Sequence, residues 1–141
     1  MKKNSYLTKW RSAAALVPVL AMLLILGTLA GYAKAVVKPG DTVFAEWRPN
    51  AWYHGKIKEA CDLGWFINFD DGDVKCCAPN QVVKDEAPAP SQLRKGIAVL
   101  AEWTDGKYYP GVIASDSPPE YMINFDDGDK RAVTINQIRL R

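Results

Sequence analysis

The chain has 141 residues, 48% of them hydrophobic and 24% charged, with 18 Lys+Arg against 16 Asp+Glu. That length leaves room for two very small domains and little else. Five basic side chains (Lys2, Lys3, Lys9, Arg11, Lys34) and no acid lie at or before Ala35, so the remainder holds thirteen basic and sixteen acidic groups, formally −3. A nucleic-acid partner is therefore not expected, since it needs clustered positive charge to displace phosphate counterions.

In chain order, the basic start comes first, then an almost wholly apolar run from Ser12 to Ala33, then the small-x-small sequence Ala33-Lys34-Ala35. Those are the n-region, h-region and cleavage site of a signal peptide, in order. The same twenty-two apolar positions could cross a bilayer core of about 30 Å at ~1.5 Å rise per residue. Residues 1–35 are thus expected to be a signal peptide or an N-terminal transmembrane anchor. By the positive-inside rule either reading leaves the basic end cytoplasmic. The remainder is then exported: periplasmic, secreted, or held at a membrane only through this segment.

After this segment the chain reads as short strands. Val43–Trp47, Tyr53–Lys58, Trp65–Phe69 and Val74–Cys77 are separated by Pro-Asn, Asp-Leu-Gly and Asp-Asp-Gly-Asp. Strands this short, punctuated by turn residues, predict an all-β barrel or sandwich. Pro79–Val82 predicts one 3₁₀ turn before a last strand. The region 84–93, with Ala-Pro-Ala-Pro inside it, is a linker stiffened by proline. The strand pattern then begins again.

It begins again because the chain is a duplication. INFDDGD occurs at Ile67–Asp73 and at Ile123–Asp129, offset by fifty-six residues. At the same offset Val43–Trp47 falls on Val99–Trp103, Tyr53–Ile57 on Tyr109–Ile113, and Asn80-Gln81 on Asn136-Gln137. A period near fifty with matched turns means two copies of one small domain, over 36–83 and 94–141. About fifty residues in five bent strands fits an SH3-like barrel; a sandwich built jointly from both copies is the structural alternative.

Cys61, Cys76 and Cys77 all lie in the first copy, opposite Ser117, Ala132 and Val133. The strand-turn-strand pattern folds Cys61 back toward Cys76 and Cys77, so one disulfide from Cys61 to either is expected. It would suit an oxidising compartment and leave one cysteine over. Three cysteines with the single His54 lack zinc-ligand spacing, and the Asp-Asp-Gly-Asp segments lack the further ligands of a calcium loop. No metal or other cofactor is expected.

Parity assigns the faces. Successive strand residues alternate sides, and the odd positions place small aliphatics mid-strand with Trp47, Tyr53 and Phe69 at strand ends. Trp103, Tyr109 and Phe125 repeat the arrangement. Asp71 and Asp127 follow in the turns. Three aromatic faces and a carboxylate at a barrel mouth make a pocket for an organic cation. The competing expectation is that Trp and Phe simply plug a tiny core. Trp52, Tyr108, Phe66 and Met122 share the opposite parity and would pack the barrels together or face a partner.

The pattern V-x-A-x-W, then Y-x-G-x-I, then aliphatic-x-F-D-D-G resembles the Tudor domain, and the pair resembles a tandem Tudor protein over nearly everything after Lys38. The resemblance implies two five-stranded SH3-like barrels that bind methylated lysine or arginine. It implies ligand contacts from Trp47, Tyr53, Phe69 and Asp71 in one copy, and from Trp103, Tyr109, Phe125 and Asp127 in the other. Many family members add an aromatic after the glycine, where Asp73 and Asp129 stand here. That departure implies an open, acidic cage suited to a smaller or less methylated cation able to hydrogen-bond an aspartate.

The function expected is a non-catalytic binding module outside the cytoplasm, with a peptide, protein or small amine bearing a methylated or cationic group as partner. The alternative is an SH3-like envelope protein that grips a peptide, cell-wall component or partner subunit, its cage aromatics spent on the core. No nucleophile–base pair, phosphate-cradling loop or repeated metal set suggests an enzyme. Cation–π contacts of about 0.5–2 kcal/mol per ring predict micromolar-to-millimolar affinity once ordering costs are subtracted. Bivalency could raise that figure if one ligand spans both cages.

Overall fold

The computed structural model describes residues 35–141; the segment read as signal peptide or anchor lies outside them. No helix among the described residues is long and apolar enough to cross a membrane.

Each repeat forms its own five-stranded antiparallel sheet, so the jointly built sandwich is not adopted. The first comprises β1 (Thr42–Arg48), β2 (Ala51–Cys61), β3 (Gly64–Phe69), β4 (Val74–Cys77) and β5 (Val82–Lys84), in the order β4-β3-β2-β1-β5. The second comprises β6 (Ala98–Glu102), β7 (Tyr108–Ser115), β8 (Glu120–Phe125), β9 (Lys130–Thr134) and β10 (Ile138–Leu140), in the order β10-β6-β7-β8-β9. The order is identical when each strand is replaced by its repeat partner. A 3₁₀ turn precedes each last strand, at Pro79–Gln81 and Ile135–Gln137, and a further one, Pro90–Gln92, lies within the linker. Register shifts fall at matched places, between Ile57 and Glu59 and between Ile113 and Ser115. A bulge bends and twists a strand, which is how an eleven-residue β2 wraps so small a core.

In β1–β4 and β6–β9 the cores are built from the odd-numbered faces; in β5 and β10, beyond the 3₁₀ turns, the even-numbered Val82 and Ile138 point inward. Val43, Ala45, Ile57, Ile67, Phe69, Cys77 and Val82 are buried in the first. Their counterparts Val99, Ala101, Ile113, Ile123, Phe125, Val133 and Ile138 are buried in the second, joined by Leu93 from the linker's end and Tyr121 from β8. Gly55 and Gly111 interrupt these faces for a steric reason. A Cβ at either would sit 2.6 Å from a cross-strand carbonyl oxygen, of Asn68 or Asn124. Only glycine lets β2 approach β3, and β7 approach β8, that closely.

The three cysteines divide their roles. Cys61 and Cys76 are disulfide-bonded, tying the end of β2 to β4 across β3. Cys77 is fully buried in the position that Val133 holds in the other barrel, so it packs as a small hydrophobe. Burial also raises its thiol pKa, which makes it inert rather than reactive.

The opposite parity joins the barrels. Phe44, Trp52, Val83 and Leu100 are buried together, with Tyr108 packed against them. The Phe44 and Tyr108 rings lie 4.4 Å apart. The Arg139 guanidinium sits 5.2 Å over Tyr108 while its Nε donates to Asp85 at 2.5 Å. On its other side Asp85 meets His54 Nε2 at 3.3 Å, and His54 Nδ1 lies 2.7 Å from Asp70. Trp52 and Tyr108 therefore pack barrel on barrel, Trp52 buried and Tyr108 half-buried. Met122 takes no part in this seam and is 38% exposed.

Candidate functional site

The mouths of the barrels are shaped by their hairpin turns. In the Asp-Asp-Gly-Asp turn after β3, Gly72 donates to Phe69 O, and Phe69 N–H donates to Asp73 O at 2.8 Å. Gly72 adopts φ +94°, and Gly128 in the second barrel φ +100°, a left-handed conformation in which glycine carries no steric penalty. Asp71 Oδ1 accepts from Asp73 N–H at 3.1 Å, and Asp127 Oδ1 from Asp129 N–H at 3.0 Å. So the second aspartate of each motif holds its own turn, a structural task that the sequence reading did not assign to it.

Those turns close two recesses. The first, about 270 Å³, is lined by Trp47, Arg48, Tyr53, Phe69, Asp71 and Asp73. The second, about 290 Å³, is lined by Trp103, Asp105, Tyr109, Phe125, Asp127 and Asp129. All eight residues named from the sequence thus line a recess, four in each. Trp47 meets Phe69 edge-on at 5.4 Å and 90°; Trp103 meets Phe125 at 5.1 Å and 82°. The two expectations for the aromatics divide by residue. Phe69 and Phe125 are each 5% exposed and belong to the cores, whereas Trp47 and Tyr53 are 39% and 43% exposed. Phenylalanine is the plug, and little of its ring is exposed at the recess.

Sequence reasoning missed four contributors, two of them a matched pair. Lys75 Nζ donates to the carbonyls of Glu46 and Trp47 at 2.9 and 2.6 Å, and lies 5.9 Å from the Trp47 ring centroid. In the second barrel Arg131 donates to the Glu102 carbonyl at 2.7 Å. Both cations clasp the end of the first strand of their barrel; their shared fifty-six-residue offset was the available signal.

The other two are Arg48 and Asp105, which sit where the repeats differ. Asp105 Oδ1 accepts from Lys107 N–H at 3.0 Å, and Oδ2 accepts from the Tyr109 hydroxyl at 2.8 Å. The Lys107 amide first, and then the Tyr109 hydroxyl, hold the Asp105 carboxyl below its ordinary pKa. The same hydrogen bond raises the Tyr109 phenol. Pro49 stands at the position of Asp105 in the first barrel, so Tyr53 has no such anchor there.

A third recess adjoins the second. It is about 160 Å³ and shares Tyr109, Phe125 and Asp127 with it, adding Pro110, Asp126 and, from the first barrel, Asn50. Asn50 forms the tight turn between β1 and β2 at φ 64°, its N–H bound to Glu46 Oε1 at 2.9 Å. Asp126 is held by Arg141 Nη1 at 3.3 Å. Among the described residues no cluster of three or more His, Cys, Asp or Glu is placed to hold a metal ion.

Residues 40–140 match the family model described as "Domain of unknown function (DUF4537)". Among solved structures, the tandem Agenet domain 3-4 of ADCP1 is similar at 17% identity, over 74% of this chain and 79% of that one, with a TM-score of 0.43.

Proposed function

We propose that this chain, which belongs to the DUF4537 family, is an exported, non-catalytic binding module that holds a methylated or other organic cation on a peptide, protein or small amine. One observation carries the reading. In each barrel a tryptophan, a tyrosine, a phenylalanine and carboxylates, two in the first and three in the second, line an open recess. Aromatic faces attract a cation through their quadrupoles, and the carboxylates add charge and acceptors for any N–H the cation retains. A small anion or an apolar ligand would meet the wrong field there.

Export is supported by the basic, apolar and small-x-small order of residues 1–35, and by the Cys61–Cys76 disulfide, a bond that persists in oxidising compartments. The alternative, an SH3-like protein gripping a peptide, cell-wall component or partner subunit, would need surface other than Trp52, which is buried in the seam between barrels.

Titrating the full chain with methylated lysine and arginine peptides, choline and betaine, while following tryptophan fluorescence, tests the proposal. A saturable change in the micromolar-to-millimolar range is expected. No saturable change with any of these cations contradicts it.

A further inference from the structure

The two recesses look alike by motif and differ in charge. The first is lined by two carboxylates and the Arg48 guanidinium, formally −1; the second by three carboxylates and no cation, formally −3. The first also has the Lys75 ammonium 5.9 Å from its tryptophan ring. Arg131 is its counterpart in the second barrel, so each mouth has one such clasping cation, and the charge difference between them is Arg48 against Asp105. In the second barrel Tyr109 is fixed by its 2.8 Å hydrogen bond to Asp105, whereas Tyr53 is 43% exposed. A fixed ring loses less rotamer entropy on binding.

We infer, building on the function proposed above, that the cation is held by the second barrel alone, and that the first barrel serves this one site by supplying Asn50 to its rim. The ligand class follows from the lining. Asp105, Asp127 and Asp129 offer carboxylates close to the aromatic faces, which favours an ammonium or guanidinium that keeps at least one N–H over a quaternary one. The contiguous recess under Asn50 admits the polar chain on which that cation is carried, and a carboxamide can both donate to and accept from a peptide bond. The protein thus reads a monomethylated or dimethylated lysine in a peptide at one place, and its duplication does not produce bivalent binding.

Isothermal titration of the full chain with acetyl-dimethyllysine methylamide, and with the same residue in a hexapeptide, tests this. Wild type is expected to bind about one equivalent of either probe. Asp105→Asn, an isosteric surface change, should weaken both about tenfold, the loss of one charge-assisted contact. Asn50→Ala should weaken only the hexapeptide, by about threefold. The double change Arg48→Thr with Pro49→Asp copies the second mouth onto the first and should raise the stoichiometry to about two. The trimethylated residue should bind more weakly than the dimethylated one. Two equivalents in wild type, or one equivalent lost on Tyr53→Ala and retained in Asp105→Asn, overturns this inference and leaves the cation reading standing. No binding of any methylated lysine, choline or betaine removes both.

Discussion

The first and second barrels share seven buried core positions at one offset, from Val43 and Val99 to Val82 and Ile138. Their mouths do not correspond. Where the first has Arg48 and Pro49, the second has Thr104 and Asp105; where the first is stapled by Cys61 and Cys76, the second has Ser117 and Ala132. Duplication supplied two copies of a scaffold, and a few surface substitutions made one mouth nearly neutral and the other acidic. Burial constrains the core positions because each methylene there is felt. Surface positions are cheap to change, so the copies diverged in the charge of their mouths while their fold stayed the same.

The largest expected effects bear on what the two barrels share. Phe69→Ala and Phe125→Ala should each cost about 3–5 kcal/mol, as buried phenylalanines do, read as denaturant midpoints. A loss below about 1 kcal/mol, the range of surface changes, would mean that the phenylalanines are ligand contacts and not plugs. Next comes a difference between the barrels. Replacing Cys61 and Cys76 by serine opens a loop whose ends are 15 residues apart, and should cost about 3 kcal/mol on the chain-entropy model. The loss should appear as earlier hydrogen exchange in β2–β4 than in β7–β9; equal protection in both would contradict it.

Smaller still, Trp47→Ala should cost about 1 kcal/mol, because the ring is 39% exposed and surface changes seldom exceed that. Unfolding of the first barrel would return Trp47 to the core. The smallest effect is a titration. Asp105 accepts a hydrogen bond from the Tyr109 hydroxyl and raises the phenol, so Asp105→Asn should bring Tyr109 ionisation back down toward the ordinary tyrosine pKa, near 10, by ultraviolet difference absorbance. The sign for Asp105 itself runs the other way. Its depressed carboxyl contributes stability above the ordinary carboxylate range, and loses it as pH falls through the lowered value.

Much of this was legible in the residues. The offset of INFDDGD located both domains, and period-2 parity picked out buried Val43, Ala45, Ile57 and Ile67 because a pleated strand alternates its faces. The eight cage positions came from the same parity with the Tudor resemblance, and the recesses gather all of them. What was not legible depends on distance across the fold. Parity put Trp52 on an outer face but could not say that Phe44, Val83 and Leu100 meet it there, because that face is covered by a second domain. Lys75 reaches the carbonyl of Trp47 from 28 residues away, and Asn50 borders a recess of the other barrel. Such contacts are set by the packing of whole sheets, which local spacing does not encode. The Asp105–Tyr109 bond spans only four residues, but Pro49 stands at the matching place in the other copy, so the repeat carries no sign of it.

The claim that the mouths have diverged is tested most directly by following the tryptophan indole N–H resonances of the full chain as dimethyllysine amide is added. The account predicts that the Trp103 resonance shifts and saturates while Trp47 stays in place. Equal shifts at Trp47 and Trp103, or a shift at Trp47 first, would contradict it.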